Sequence, residues 1–179
     1  MLATPTPSRL ALAAALAALS TSPLAAADRA SGTCVQDDRT IEVKDGVFYR
    51  APDPFDESVQ RTVVVLTTIP LDKVAIARAA DKEDAIREQV WAADGAAKIE
   101  LEIDAGATVT GMHVQHGGGS SSMSGTSIGT LAPSVNDGKR IAAKFTRDDA
   151  MKCALDFDLS SDALAAAERA APPAPVGKP

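Results

Sequence analysis

The sequence predicts a mainly β protein with one helix, either an antiparallel β-sandwich or an open barrel of about seven short strands with the helix packed on one face. The run Arg61–Pro70 is rich in β-branched residues and has a continuous apolar core, Val63–Leu66. Such a run predicts a strand covered on both faces, and we place it at the centre of the sheet. Short alternating stretches flank it, a helical pattern follows it, and no βαβ rhythm is present.

The first 27 residues have the pattern of a secretory signal peptide. A polar lead containing Arg9 precedes Leu10–Leu19, which holds only Leu and Ala, and a block of that length is too short to span a bilayer. Ala25 and Ala27 fit the small-residue cleavage rule, so we predict cleavage after Ala27. The alternative, a buried Ala/Leu helix, would lack an amphipathic face. We therefore expect a periplasmic or secreted protein.

The acidic balance of the chain limits its partners. The chain has 18 Lys and Arg against 24 Asp and Glu, a formal net charge of −6 at pH 7, and the predicted cleavage removes only Arg9 from these. An acidic surface argues against nucleic acid and anionic lipid. No second long apolar block follows the leader, so we expect no membrane insertion after cleavage. No sequence motif calls for a cofactor.

Cys34 and Cys153 are the two cysteines of the chain. In an oxidising compartment such a pair predicts a disulfide, here between the first ordered residues and the last strand. Two free or metal-bound thiols are the alternative, although the CxxC spacing of zinc sites is missing. We expect one β-rich domain over 34–162, after a short flexible lead at 28–33. The Ala/Pro-rich segment 163–179 is predicted to be a disordered tail.

Turn and helix-capping patterns in the first half of the domain predict where its strands and helices begin and end. Asp45-Gly46 separates the runs Ile41–Val43 and Val47–Tyr49 and predicts a β-hairpin. A short helical turn at 73–80 precedes a helix over 82–93, which begins with a capping pattern at Asp81. Trp91 is expected to anchor this helix to the sheet, with ligand contact as the alternative.

The second half of the domain reads as strands and turns. Ile99–Ile103 alternates with charged residues and predicts a half-exposed strand, and Gly111 marks a bulge in the next strand. Gly117–Ser122 is a flexible loop by composition. A turn at 136–138 and a final strand over Cys153–Leu159 complete the sheet.

His113 and His116 are the candidate metal ligands. Positions three apart on a strand point to opposite faces, so the two rings diverge unless the backbone bends at Gly117. A site would also need a third ligand, and Asp104 is the nearest in sequence. We prefer the interpretation that both are surface histidines.

The Gly/Ser segment supplies the candidate binding residues Gly117, Gly118, Gly119 and Ser120. A nucleophile at Ser122 or Ser124 acting with His116 is the catalytic alternative. The chain has no S-x-x-K or phosphate-loop motif, and the segment follows a strand without opening a helix, which favours a mobile loop.

Three pairs of carboxylates occur, Asp37-Asp38, Glu100/Glu102 and Asp156/Asp158. The last two pairs would each share one face of a strand, as a glycosidase-like or calcium site requires. The solvated face of an acidic protein is the simpler interpretation.

Four segments carry a resemblance to known sequences: Asp45-Gly46, Val63–Thr68 with Pro70-Leu71 after it, Ser124-Gly125, and Asp137–Ala142 before the last strand. In these the chain resembles small exported proteobacterial proteins of unassigned function, over most of Ile41–Asp158. The resemblance implies export and a fold of this kind. It carries no catalytic residue across.

We therefore expect an exported, soluble, non-enzymatic binding domain of the bacterial envelope, with an unknown protein or small molecule as its ligand. One alternative is a small periplasmic hydrolase or metal-dependent enzyme that uses His113 or His116. A second alternative is a structural envelope protein. A cleft beside 117–126 would favour the first, and convergence of both imidazoles with a carboxylate or serine would favour the enzyme.

Overall fold

The computed structural model describes residues 28–36, 38–53, 56–117, 119–125 and 127–170. Within these residues the chain forms two five-stranded antiparallel sheets packed as a sandwich, with helices on the outer face of one of them. The predicted fold class is confirmed. The predicted signal peptide and residues 171–179 of the predicted tail lie outside the described residues.

The elements are, in chain order, β1 (Arg29–Gln36), β2 (Arg39–Val43), β3 (Asp45–Pro52), β4 (Gln60–Thr67), α1 (Lys73–Arg78), α2 (Lys82–Ala92), β5 (Ala97–Ile103), β6 (Val109–His116), β7 (Gly119–Ser124), β8 (Thr130–Asn136), β9 (Arg140–Asp148), β10 (Met151–Ser160) and α3 (Ser161–Ala170). Sheet A has the strand order β2-β1-β10-β9-β8, and sheet B has the order β3-β4-β5-β6-β7. Each sheet is therefore built mostly from hairpin neighbours.

Two apolar cores hold the sandwich together. The larger lies between the sheets and includes Val64, Leu66 and Phe157, while the smaller joins the outer face of sheet B to the helices and includes Val63 and Val65. Neighbouring side chains of β4 thus enter different cores, as the continuous apolar run predicts. The middle strand of sheet B is β5, however, and not β4 as predicted. β4 is buried on both faces because the other sheet covers one face and the helices cover the other. A strand next to the central one can be covered in this way too, so burial on both faces does not identify the central strand.

The predicted hairpin at Asp45-Gly46 is wrong. β2 pairs with β1 in sheet A and β3 pairs with β4 in sheet B, so the chain crosses between sheets here. The Asp45 carboxylate accepts hydrogen bonds from the backbone N–H groups of Gly46 at 2.8 Å and Leu71 at 2.9 Å. A tight bend suits a crossing as well as a hairpin, and the local pattern does not distinguish them.

The ends of the domain also differ from prediction. Residues 29–33 of the predicted flexible lead belong to β1, because they pair with β10 along its length. The predicted disordered tail begins with α3, whose Leu164 is buried against the smaller core, so the folded domain extends to 170. No helix among the described residues is long and apolar enough to cross a membrane.

Several local predictions are confirmed. The Asp81 side chain caps α2 by accepting a hydrogen bond from the Asp84 N–H at 3.0 Å. Opposite Glu102 and Ile103, β6 contributes Gly111 and Val109, which leaves one extra residue at the expected bulge. The turn before β9 is held by the Asp137 carboxylate.

The disulfide between Cys34 and Cys153 is confirmed. The two residues are direct partners across β1 and β10, and both side chains are buried. The bond spans 119 residues of sequence and joins the first strand to the last one.

Candidate functional site

The predicted flexible loop at Gly117–Ser122 is wrong, because most of it belongs to strand β7. β7 pairs with β6 and stands at the edge of sheet B. The Gly125 N–H donates to the Thr110 carbonyl at 3.0 Å. Since inward and outward backbone groups alternate along an antiparallel strand, the N–H and C=O groups of Ser120, Ser122 and Ser124 point away from β6.

β7 is the sheet edge with the least protection in the part of the chain that the structure describes. Its sequence, Gly-Ser-Ser-Ser-Met-Ser, contains no charge and no proline. The other edge strands contain such residues: Arg39 and Glu42 in β2, Pro52 in β3, and Pro133 in β8. Charges and prolines are the usual means by which proteins block strand pairing at an edge. β7 is thus open to an added strand.

A groove runs beside β7, between it and α2. Glu83, Arg87 and Trp91 lie four residues apart on α2 and form one wall. A cleft of about 350 Å³ is bounded by these side chains and, on the sheet, by Lys98, His113, Gln115, His116, Gly119 and Ser120. A second cleft, of about 300 Å³, continues past Glu83 and His113 to Ser124. We call this continuous surface the β7 groove.

A third cleft, of about 320 Å³, lies on the other side of Trp91 and is lined by Gly117 and Gly119. The candidate binding residues Gly117, Gly119 and Ser120 therefore all border clefts around Trp91. Gly118 lies outside the described residues.

The prediction that Trp91 anchors α2 to the sheet is wrong. Its side chain is 67 % exposed, and the guanidinium carbon of Arg87 lies 5.3 Å from the ring centroid, in cation–π range. The buried face of α2 is formed by Ile86 and Val90. Trp91 follows Val90 by one residue, a rotation of about 100° around the helix that turns it off this face. The spacing of Ile86 and Val90 was the signal that could have shown this.

His113 and His116 make separate contacts. His113 Nδ1 lies 3.0 Å from the hydroxyl of Ser122, its partner across the strands, while His116 Nδ1 lies 3.1 Å from Arg39 Nη1 in sheet A. The Asp104 carboxylate accepts a hydrogen bond from the Thr108 N–H in the turn at the far end of β6. Among the described residues, no three His, Cys, Asp or Glu side chains form a group that could hold a metal ion.

The predicted catalytic pair of His116 and Ser124 is not brought together. His116 lies opposite Gly119, whereas Ser124 lies opposite Gly111 at the other end of β7. The structure instead pairs Ser122 with His113.

Glu100 lies opposite His113 on the next strand, so Ser122, His113 and Glu100 form one row across β7, β6 and β5. In a Ser-His-acid triad the carboxylate binds the ring nitrogen that the serine does not use. Here Glu100 binds Lys98 Nζ at 3.0 Å. The row therefore does not have the bonding pattern of a triad.

The carboxylates of this strand are also less exposed than predicted. Lys98 is 3 % and Glu100 6 % exposed, because the wall formed by α2 covers this face of β5. Glu102 is bound by Arg61, and on sheet A Asp158 is bound by Arg140. Of the predicted pairs, Asp37 lies outside the described residues. These contacts suit ion pairs of the fold.

Tyr49 is half-buried and lies near Glu100 and other carboxylates. Burial, followed by the nearby carboxylates of Glu100, Glu83 and Asp81, raises the pKa of its hydroxyl well above the usual value of 10.0. The unfolded chain therefore loses this proton first, so stability should fall as pH rises above about 10. We expect tyrosinate absorbance in the native protein only at more alkaline pH. In Tyr49→Phe, this contribution to the loss of stability at alkaline pH should be absent. As Tyr49 is the one tyrosine, absorbance reports it alone, and a midpoint near 10 would contradict the expectation.

No protein-family model matches the chain, and comparisons with curated proteins and with solved structures give no significant match. The resemblance to small exported proteobacterial proteins stays a prediction. The geometry of the β7 groove is therefore the basis of the functional argument.

Proposed function

We propose that this protein is an exported, non-enzymatic binding domain of the bacterial envelope that takes an extended polypeptide segment as an added strand on β7. The observation that carries the proposal is the open edge of β7, which has neither charge nor proline. Main-chain hydrogen bonds to such an edge give affinity, and pockets for alternate side chains beside it give selectivity.

The energetics of strand addition suit this edge. Each backbone hydrogen bond to Ser120, Ser122 or Ser124 would contribute about 0.5–1.5 kcal/mol net. The clefts of the β7 groove lie on the side to which alternate side chains of the added strand would project. Trp91 and Arg87, side-chain types that dominate binding energy at interfaces, stand at its wall.

Two features support the envelope as the site of action. The leader predicts export, and the disulfide between Cys34 and Cys153 is of a kind that persists in oxidising compartments. The net charge of −6 further disfavours nucleic acid as the partner.

We expect Ser122→Pro to weaken peptide binding at least about tenfold, because it removes an outward donor and places a ring at the open edge. The N–H of Ser122 points away from β6, so the pairing of β7 with β6 should remain. Ser122→Ala, which keeps the N–H and loses only the hydroxyl contact with His113, is the matched control and should bind like the native chain. Short peptides of random sequence, selected on the mature protein, are the probe. Trp91 fluorescence reports binding, because it is the one tryptophan.

Four outcomes would overturn the proposal. Failure to select any peptide counts against it, as does equal binding by Ser122→Pro and Ser122→Ala. A dimer that Ser122→Pro dissociates would place a second copy on β7 instead of a peptide. Covalent labelling of Ser122 by a fluorophosphonate would indicate a hydrolase that uses His113.

A further inference from the structure

The two ends of the β7 groove carry different charges. Near Gly119, the first cleft is lined by Arg87, which is paired with Asp84, and by the buried Lys98, which is paired with Glu100. Near Ser124, the second cleft is lined by the carboxylates of Glu100 and Glu102, with Glu83 bordering both clefts. Two cations and one carboxylate thus line the first cleft, and three carboxylates line the second, so a ligand along β7 meets a less acidic end beside Arg87 and an acidic end beside Ser124.

Antiparallel addition to β7 would place the carboxyl end of the ligand beside Gly119, because β7 runs from Gly119 to Ser124. We propose that the ligand is the C-terminal segment of a polypeptide, bound antiparallel to β7 with its free carboxylate beside Arg87. This inference rests on the proposed function and names the class of its ligand.

Arg87 is suited to bind a carboxylate. Its Nη2 binds the Asp84 carboxylate, and its guanidinium carbon lies over the Trp91 ring, within cation–π range. Its side chain is 34 % exposed and lines the first cleft. Arginine presents several donors in one plane, so a second carboxylate can bind while the first stays in place.

The opposite orientation is disfavoured by charge. A strand added parallel to β7 would bring its terminal carboxylate to the end lined by Glu100 and Glu102. Like charges across an interface reduce affinity, and they do so most where water is excluded. The acidic end instead suits the amide-rich or cationic part of a ligand.

The test compares peptides selected on the native protein, each synthesised with a free C-terminal acid and with a C-terminal amide. We expect the acid to bind about tenfold more tightly than the amide, since a charge-assisted hydrogen bond is lost with the amide. Arg87→Gln should remove this difference by weakening the acid alone. Lys144→Gln is the matched control, because it removes an equally charged but exposed side chain on sheet A and should leave the difference intact.

The outcomes separate the two proposals. Equal binding of acid and amide, with Ser122→Pro still weakening both, would overturn the carboxylate assignment and leave strand addition standing. A preference for the acid that Arg87→Gln does not change would likewise overturn the assignment to Arg87. If no peptide binds in either form, both proposals fail.

Discussion

Loss of the disulfide is expected to lower the free energy of unfolding by about 4 to 5 kcal/mol. Cys34 and Cys153 are 119 residues apart in sequence, so the bond removes a large part of the conformational freedom of the unfolded chain. That loss approaches the whole stability of many small domains. Urea unfolding of the Cys34→Ala/Cys153→Ala variant, followed by circular dichroism, measures the difference.

Reduction of the native protein provides the control for packing. Alanine also removes two buried sulfur atoms, whereas reduction keeps them as thiols. We expect a reductant to lower the urea midpoint of the native protein and to leave that of the double variant unchanged. A loss below about 1 kcal/mol in both experiments would show that strand pairing between β1 and β10 holds the chain ends without the bond.

Features written in one short stretch of sequence were predictable. The apolar run Val63–Leu66 predicted burial on two faces. The strict alternation of apolar and polar residues in Cys153–Leu159 predicted the last strand, with Cys153 on its inner side. The Asp81 cap marked the start of α2. In each case the physical cause lies within a few residues, so no knowledge of the partner was needed.

Features that depend on a segment far away in the sequence could not be predicted. Asp45-Gly46 bends the chain as expected, but the choice between hairpin and crossing is made by β1 and β4, which pair with the two flanking strands. β7 has the composition of a linker, yet Ser121 bonds with Gln36 of sheet A and Met123 packs against the larger core. Tertiary contacts thus order a segment whose own preferences are weak.

Only the half of the candidate site that lies in one stretch of sequence was predicted. The Gly/Ser segment was expected to bind a ligand, and its residues do border the clefts around Trp91. The opposing wall was missed, because it needs α2 to be placed beside β7. Only the spacing of Ile86 and Val90 hinted that Trp91 would face outward.

Gly32→Ala is expected to cost about 3 kcal/mol of stability, the largest effect we expect from a single added methyl group. Gly32 lies in β1 at φ = +115°, a conformation that side chains disfavour. An added Cβ would also overlap the carbonyl oxygen of Ala154 and lie 2.9 Å from Leu155 Cα, both backbone atoms of β10. Backbone in a sheet interior cannot move aside cheaply, because its hydrogen bonds fix it.

Alanine substitutions at two further glycines distinguish the cost of backbone strain from the cost of steric overlap. Gly138 has φ = +82° with no atom near an added Cβ, so Gly138→Ala should cost only about 1 kcal/mol, from backbone strain. Gly117 has neither feature, and Gly117→Ala should change stability by less than about 0.5 kcal/mol. Urea unfolding of the three variants should rank them Gly32, Gly138, Gly117 in order of loss. If Gly32→Ala lost no more than Gly138→Ala, β1 and β10 could separate at this point without cost, and the close pairing that places Cys34 opposite Cys153 would be looser than described.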